Sequence, residues 1–203
     1  MKMQAAGLAL AGCVLAACGG GGEGSATSDC SEYTPPAASP YRLPWQLGHT
    51  YRANPHRLWD PTVQRYAYDV RMPIGTDVLA MRAGVVVRTQ ESYFDGDTTP
   101  GHENYVFVQH DDGTVARYVH FTNGGALVEV DDAVTQGQRI GLSGHTGNSS
   151  GPHLHFDITR SCCAGPPDNN ALPAGETLPL TFSNASPDSS CGLQDGVNYR
   201  AQP

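Results

Sequence analysis

Lysine is nearly absent. Of twelve basic residues in the 203-residue chain, Lys2 is the only lysine, and the other eleven are arginines. Twenty acidic residues outweigh them and give a net charge of -8. That balance excludes a surface built to wrap nucleic acid, whose phosphates demand a basic face. Long apolar runs are missing too. The one extended run, Ala5 to Ala17, falls short of the ~20 residues a spanning helix needs. No window of eleven or more residues carries a convincing helical period, which excludes a helical bundle and a multispan membrane protein.

What is present leans toward β-structure. Glycine (24) and proline (15) make the chain turn-rich, though below the level at which low-complexity disorder becomes the default. Nine tyrosines, five phenylalanines and many valines remain to build a core. Strand-like segments run over Arg65–Val70, Asp77–Met81, Gly84–Thr89, Asn104–His110, Thr114–His120, Gln138–Ser143, His153–Thr159 and Leu178–Ser183. Asp111-Asp112-Gly113 supplies a hairpin turn between two of them. Short strands at close spacing predict an all-β, antiparallel two-sheet sandwich or barrel-like domain.

The N-terminal residues 1–17 read as an export signal closing on Leu15-Ala16-Ala17-Cys18. This resembles the lipobox of bacterial lipoproteins, in which the cysteine is acylated. Leu10-Ala11-Gly12-Cys13 matches in letters, but leaves a very short apolar core, so Cys18 is preferred. Residues 18–40, rich in Gly, Ser, Thr, Ala and Pro, are expected to form a flexible tether. The folded domain, with a C-terminal extension, is then 41–203.

The chemistry gathers around histidine. His153-Leu154-His155 places two imidazoles on one strand face, about 6.5–7 Å apart. A loop rich in glycine and serine, Gly144 to Pro152, leads into it. His120 ends a hairpin strand, and Asp69 ends Tyr66-Ala67-Tyr68. An aspartate and histidines on separate strands can supply three ligands to Zn²⁺ and leave a fourth position open.

These residues carry a resemblance. Tyr66-Ala67-Tyr68-Asp69, Met72-Pro73-Ile74-Gly75-Thr76, Asn104 to His110, Tyr118-Val119-His120, Gly137 to Gly141 and Gly151-Pro152-His153-Leu154-His155 appear in that order. The sequence resembles the lysostaphin-like (LytM-type) zinc metallopeptidases, a family of cell-wall endopeptidases. The resemblance implies a groove holding one Zn²⁺ per chain and hydrolysis of peptide cross-links in peptidoglycan. It makes Asp69 and His155 zinc ligands, and sets His120 and His153 beside the attacking water and the scissile carbonyl. Many members have a further ligand histidine four residues before the aspartate, where this chain has Arg65. A guanidinium cannot take that role. His49 and His56 are the substitutes, and His56, the nearer, is preferred. The alternative is a degenerate site in which Arg65 pairs with Asp69, leaving a wall-binding or amidase-activating module. A third possibility is a protease acting on non-wall protein. Tyr118 and His145 are possible substrate contacts, whereas His102 and His110 read as loop and structural residues.

Cys30, Cys162, Cys163 and Cys191 remain after processing, an even number in an exported chain. A bond between adjacent cysteines strains the intervening peptide. Two disulfides are therefore expected, each joining Cys162 or Cys163 to Cys30 or Cys191. The implied partners are peptidoglycan stem peptides and, through the lipid, a membrane. Gly19 after the lipobox cysteine points by analogy to the outer membrane of a two-membrane bacterium, facing the periplasm.

Overall fold

The computed structural model describes residues 30–58, 64–160 and 176–203. Among them the fold is all-β, with two short 3-10 turns, Pro36–Ala38 and His56–Leu58, and no α-helix. The strands are β1 (Thr50–Pro55), β2 (Tyr68–Val70), β3 (Asp77–Leu79), β4 (Gly84–Gln90), β5 (Tyr105–Gln109) and β6 (Val115–Val119). They continue as β7 (Phe121–Ala126), β8 (Ala133–Val134), β9 (Arg139–Ser143), β10 (Leu154–Thr159), β11 (Ala185–Ser186) and β12 (Asn198–Ala201). One sheet has the order β11-β12-β1-β2-β10-β6-β5-β4-β8, and a second has the order β3-β9-β7. The pairings are antiparallel throughout, as the sequence predicts.

The central strands explain why the large sheet forms. β6 and β10 are buried along their whole length, which suits the β-branched and aromatic residues that fill them. Tyr68, Tyr118 and Phe156 face the main core with Trp45, Phe182 and Tyr199. Register pairs Phe156 with both Tyr68 and Tyr118, and its ring lies 5.7 Å from Tyr68 and 6.4 Å from Trp45. Burying each such side chain stabilises the fold by roughly 1.5–3 kcal/mol. Side chains alternate across a strand, so Asp69, His155, Arg117 and Asp157 project from the opposite face. That face carries the site.

Four expectations are corrected. Leu178–Ser183 is not a strand: Thr177 makes an isolated bridge to Thr159, Leu178 N–H donates to Ile158 O, and pairing resumes at β11. Arg65–Ala67 leads into β2 instead of belonging to it, because a turn there returns Ala67 N–H to Gln64 O. Residues 30–40, assigned to the tether, are docked on the domain. Glu32 accepts from the Tyr66 hydroxyl, Thr181 Oγ1 donates to Thr34 O, and Ser39 Oγ donates to Thr181 O. Finally, Cys30 is bonded to Cys191, with Cα atoms 4.9 Å apart, against the expectation that each would take a partner from Cys162-Cys163. The docked N-terminal segment brings Cys30 to the C-terminal segment, a proximity that spacing alone did not reveal. Cys162, Cys163, the export signal and the first part of the tether lie outside the described residues.

Candidate active site

Three elements deliver the metal-type donors. His56 opens the 3-10 turn after β1, and its backbone N–H donates to Ala67 O. Asp69 is the middle residue of β2, paired in register with Asn54 on one side and His155 on the other. His56 Nε2 lies 2.9 Å from Asp69 Oδ1, and His155 Nδ1 lies 3.0 Å from the same oxygen. One donor atom from each of His56, Asp69 and His155 falls within 4.8 Å of the others. Two imidazoles and a carboxylate converging from three elements match the N/N/O set of hydrolytic zinc sites. His49 is elsewhere, exposed and stacked on Tyr51. Arg65 turns away from Asp69 to pair with Glu32 and lie over the Tyr66 ring.

His120 and His153 flank this set. Their rings are 4.4 Å apart, and His153 Nε2 is 3.5 Å from Asp69 Oδ1. Each imidazole is held through Nδ1, at 2.6 Å from Thr146 O for His120 and 2.8 Å from Gly151 O for His153. A carbonyl can only accept, so both Nδ1 atoms carry protons; in the neutral His120 ring Nε2 then offers a lone pair, whereas His153 Nε2 faces the Asp69 carboxylate. Burial, then the neighbouring His153 and His155, lowers His120 to about 3. It is neutral at physiological pH. Strand alternation would send His120 into the core with Tyr118, but its φ of 67° breaks the period and swings the ring into the site. A non-glycine residue in that region costs ~1–2 kcal/mol, strain typical of functional positions.

His155 is supported from behind. Its Nε2 lies 3.2 Å from Asp157 Oδ2, and Asp157 receives Arg117 Nε at 2.7 Å and Arg117 Nη2 at 2.6 Å. Burial opposes ionisation of Asp157, but Arg117 and His155 outweigh it and hold the carboxyl far below the usual range. For Asp69 too, hydrogen bonds with His153, His155 and His56 overcome burial and lower the pKa strongly. Both carboxylates are charged at neutral pH. An acidic partner on the second nitrogen of a ligating histidine fixes its tautomer and strengthens its basicity. Asp157 and Arg117 went unremarked in the sequence; the alternation His155-Phe156-Asp157 was the available signal for the first of them.

Two expected substrate contacts are placed differently. Tyr118 is fully buried, and its hydroxyl accepts Met81 N–H at 2.7 Å. Residue 118 follows the core face, and the reversal that frees His120 begins only after it. His145 braces the loop that carries His153: its Nε2 is 3.2 Å from Ser149 O, and its N–H donates to Asp95 Oδ1. His110 is structural, bonded through Nδ1 to Ala83 O, and His102 pairs with Asp97 in an outer loop.

An antiparallel all-β domain with a His/Asp/His donor set and two tautomer-locked imidazoles is the arrangement of a hydrolytic metalloenzyme. The profile of Peptidase family M23 matches residues 64–167, and the chain belongs to that family. Among its relatives, the peptidoglycan DD-endopeptidase ShyA of Vibrio cholerae serotype O1 is 39% identical over 118 residues, 56% of this chain and 25% of that protein. Lysostaphin of Staphylococcus simulans is 35% identical over 106 residues, 52% of this chain and 20% of that protein. A solved structure described as a zinc-containing peptidase from Vibrio cholerae is 27% identical, with a TM-score of 0.41, covering 59% of this chain and 36% of that one. The chain thus spans about a quarter of the length of the curated relatives it matches.

Proposed function

We propose that this domain is a zinc-dependent endopeptidase that hydrolyses peptide cross-links of peptidoglycan, exported and lipid-anchored through Cys18 in a bacterial envelope. The outer membrane, facing the periplasm, is the site of anchoring in this reading. The observation that carries the activity is the convergence of His56, Asp69 and His155 beside the paired imidazoles of His120 and His153. The similarity to endopeptidases named for peptidoglycan supports the substrate class.

His56 Nε2, Asp69 Oδ1 and His155 Nδ1 would hold the ion. When bound, Zn²⁺ polarises a carbonyl and acidifies water. The protein's own part is proton management and orientation. His120, kept neutral by burial, and His153 present Nε2 atoms to the attacking water and the scissile carbonyl. One accepts the proton that water loses and returns it to the departing amine, as general base and then general acid. The other hydrogen-bonds the developing oxyanion with a proton that its Nε2 takes up from bulk water before the step and gives back after it. Their Nδ1–H bonds to Thr146 O and Gly151 O keep both rings aimed throughout.

Metal analysis and sacculus digestion test the proposal. Protein purified without chelator should contain close to one zinc per chain and release cross-link cleavage products from purified sacculi. Protein that holds no zinc and cannot be reconstituted would instead be the non-catalytic wall-binding module. Zinc-loaded protein that leaves sacculi intact but cuts unrelated polypeptides would move the substrate outside the wall.

A further inference from the structure

His56 comes from outside the 64–167 family region, and beyond its backbone bond to Ala67 O a second contact steadies the turn that carries it. The C-terminal turn at 191–194 supplies it. Arg57, the residue after His56, donates from Nη1 to Leu193 O at 3.2 Å and from Nη2 to Gln194 Oε1 at 2.7 Å. Gln194 Nε2 in turn donates to Cys191 O at 2.9 Å and Gly192 O at 3.1 Å, closing the turn on itself. The same turn presses on the residue before Asp69. Gly192 has φ +70°, and a Cβ there would collide with the Tyr68 hydroxyl. Cys191 ties the turn to Cys30, and Gln194 N–H donates to the Tyr199 hydroxyl, whose residue is on β12 beside β1. One short segment therefore grips the neighbours of two of the three donors.

We propose that the Cys191–Gln194 turn is a positioning latch for the metal site, with Arg57 as the residue that transmits it to His56. This rests on the zinc reading above and adds to it a role for the C-terminal extension. Arg57 touches no donor atom. Its planar fork fixes the direction in which the 3-10 turn leaves β1, and hence where His56 Nε2 points. Metal affinity in this chain depends on a contact that lies wholly outside the 64–167 region.

The test measures zinc dissociation constants by competition with a chromophoric chelator, on full-length protein whose metal-free fold is checked by circular dichroism. Arg57→Ala should weaken zinc by 10–100-fold, the usual effect of losing an outer support of a ligand. Arg57→Lys, which keeps the charge but not the fork, should fall between. Gln194→Ala should weaken zinc in the same direction with Arg57 intact, and serves if Arg57→Ala does not fold. The control is Arg42→Ala, which removes a bond to Gln202 O of the same C-terminal segment but does not neighbour a donor; its zinc affinity should be unchanged. If Arg57→Ala and Gln194→Ala bind zinc as tightly as the wild type, the latch is wrong and the zinc site stands. Equal weakening in Arg42→Ala would reduce the effect to general loosening and overturn the latch as well. Wild-type protein that takes up no zinc removes the metal site and the latch together.

Discussion

The Arg117–Asp157 pair ought to be the most costly noncovalent contact to break among the described residues. Both side chains are sealed from solvent, at 2% and 0% exposure, and the guanidinium donates to both carboxylate oxygens. Arg117→Met keeps much of the volume but leaves Asp157 buried with His155 as its remaining described ionic partner. Breaking one side of a buried pair typically costs 3–5 kcal/mol, because an uncompensated charge stays in the interior. For a domain of this size that is roughly 6–20 °C in Tm. The double variant Arg117→Met/Asp157→Leu removes both charges and should regain most of the loss, since apolar replacements of whole pairs are often neutral. It should not regain zinc affinity, because His155 Nε2 has then lost its acceptor. Urea denaturation of metal-free protein gives the stability, and chelator competition the affinity. A loss below about 1 kcal/mol for Arg117→Met, or a double variant no more stable than the single, would refute the reasoning.

Zinc uptake should release about one proton. Burial alone would lower His155, but hydrogen bonds with Asp157 and Asp69 outweigh it and push the imidazole up to about 9 in the metal-free protein. The raised value contributes stability that is complete below the ordinary 6.5 and is lost as pH rises through about 9. Zinc needs Nδ1 bare, so its affinity should climb with pH up to about 9 and then level, and calorimetry in buffers of different ionisation enthalpy should count the proton. A pH-independent affinity between 6.5 and 9 would contradict this. His120→Asn should retain zinc and fold at least as stably, since asparagine tolerates φ 67°, while turnover falls by ~10²–10³-fold. Loss of zinc in that variant would make His120 a ligand. Cys30→Ser/Cys191→Ser opens a crosslink spanning 161 residues; the chain-entropy estimate is a loss of about 5 kcal/mol, and a denaturation midpoint unchanged by the substitutions would count against it.

Much of the fold was legible because its strands obey local rules. The valine-rich β4 and β5, and the Asp111-Asp112-Gly113 turn between β5 and β6, were marked by composition, and Gly113 takes the positive φ of 82° that such a turn asks for. β1, β7, β8, β11 and β12 were not marked. Thr50–Pro55 mixes arginine, asparagine and proline, and it becomes a strand because β2 and β12 pair with its two halves. No local signal reports a partner nearly 150 residues away. For the same reason the Cys30–Cys191 bond was missed: it depends on where the N-terminal segment docks, which is set by Glu32, Thr34 and Ser39 contacts to distant residues.

The site shows the same division between periodic and non-periodic parts. Asp69 and His155 stand opposite each other on adjacent strands, so their separation is held by the sheet and could be inferred from strand assignments. Asp157 follows from the same period. His56 and His120 obey no period: one sits on a turn held by Arg57 and one depends on a left-handed backbone, while His153 keeps the two-residue spacing from His155 but is carried by the loop that His145 braces. Loops and strained residues open more readily than central strands. Substitutions that loosen those supports should therefore degrade metal binding and turnover before they unfold the sheet. Arg117 and Asp157 lie in the sheet itself and should couple stability to function directly. That contrast, between residues whose loss costs affinity alone and residues whose loss costs both, follows from which side chains the strand register positions and which depend on a turn.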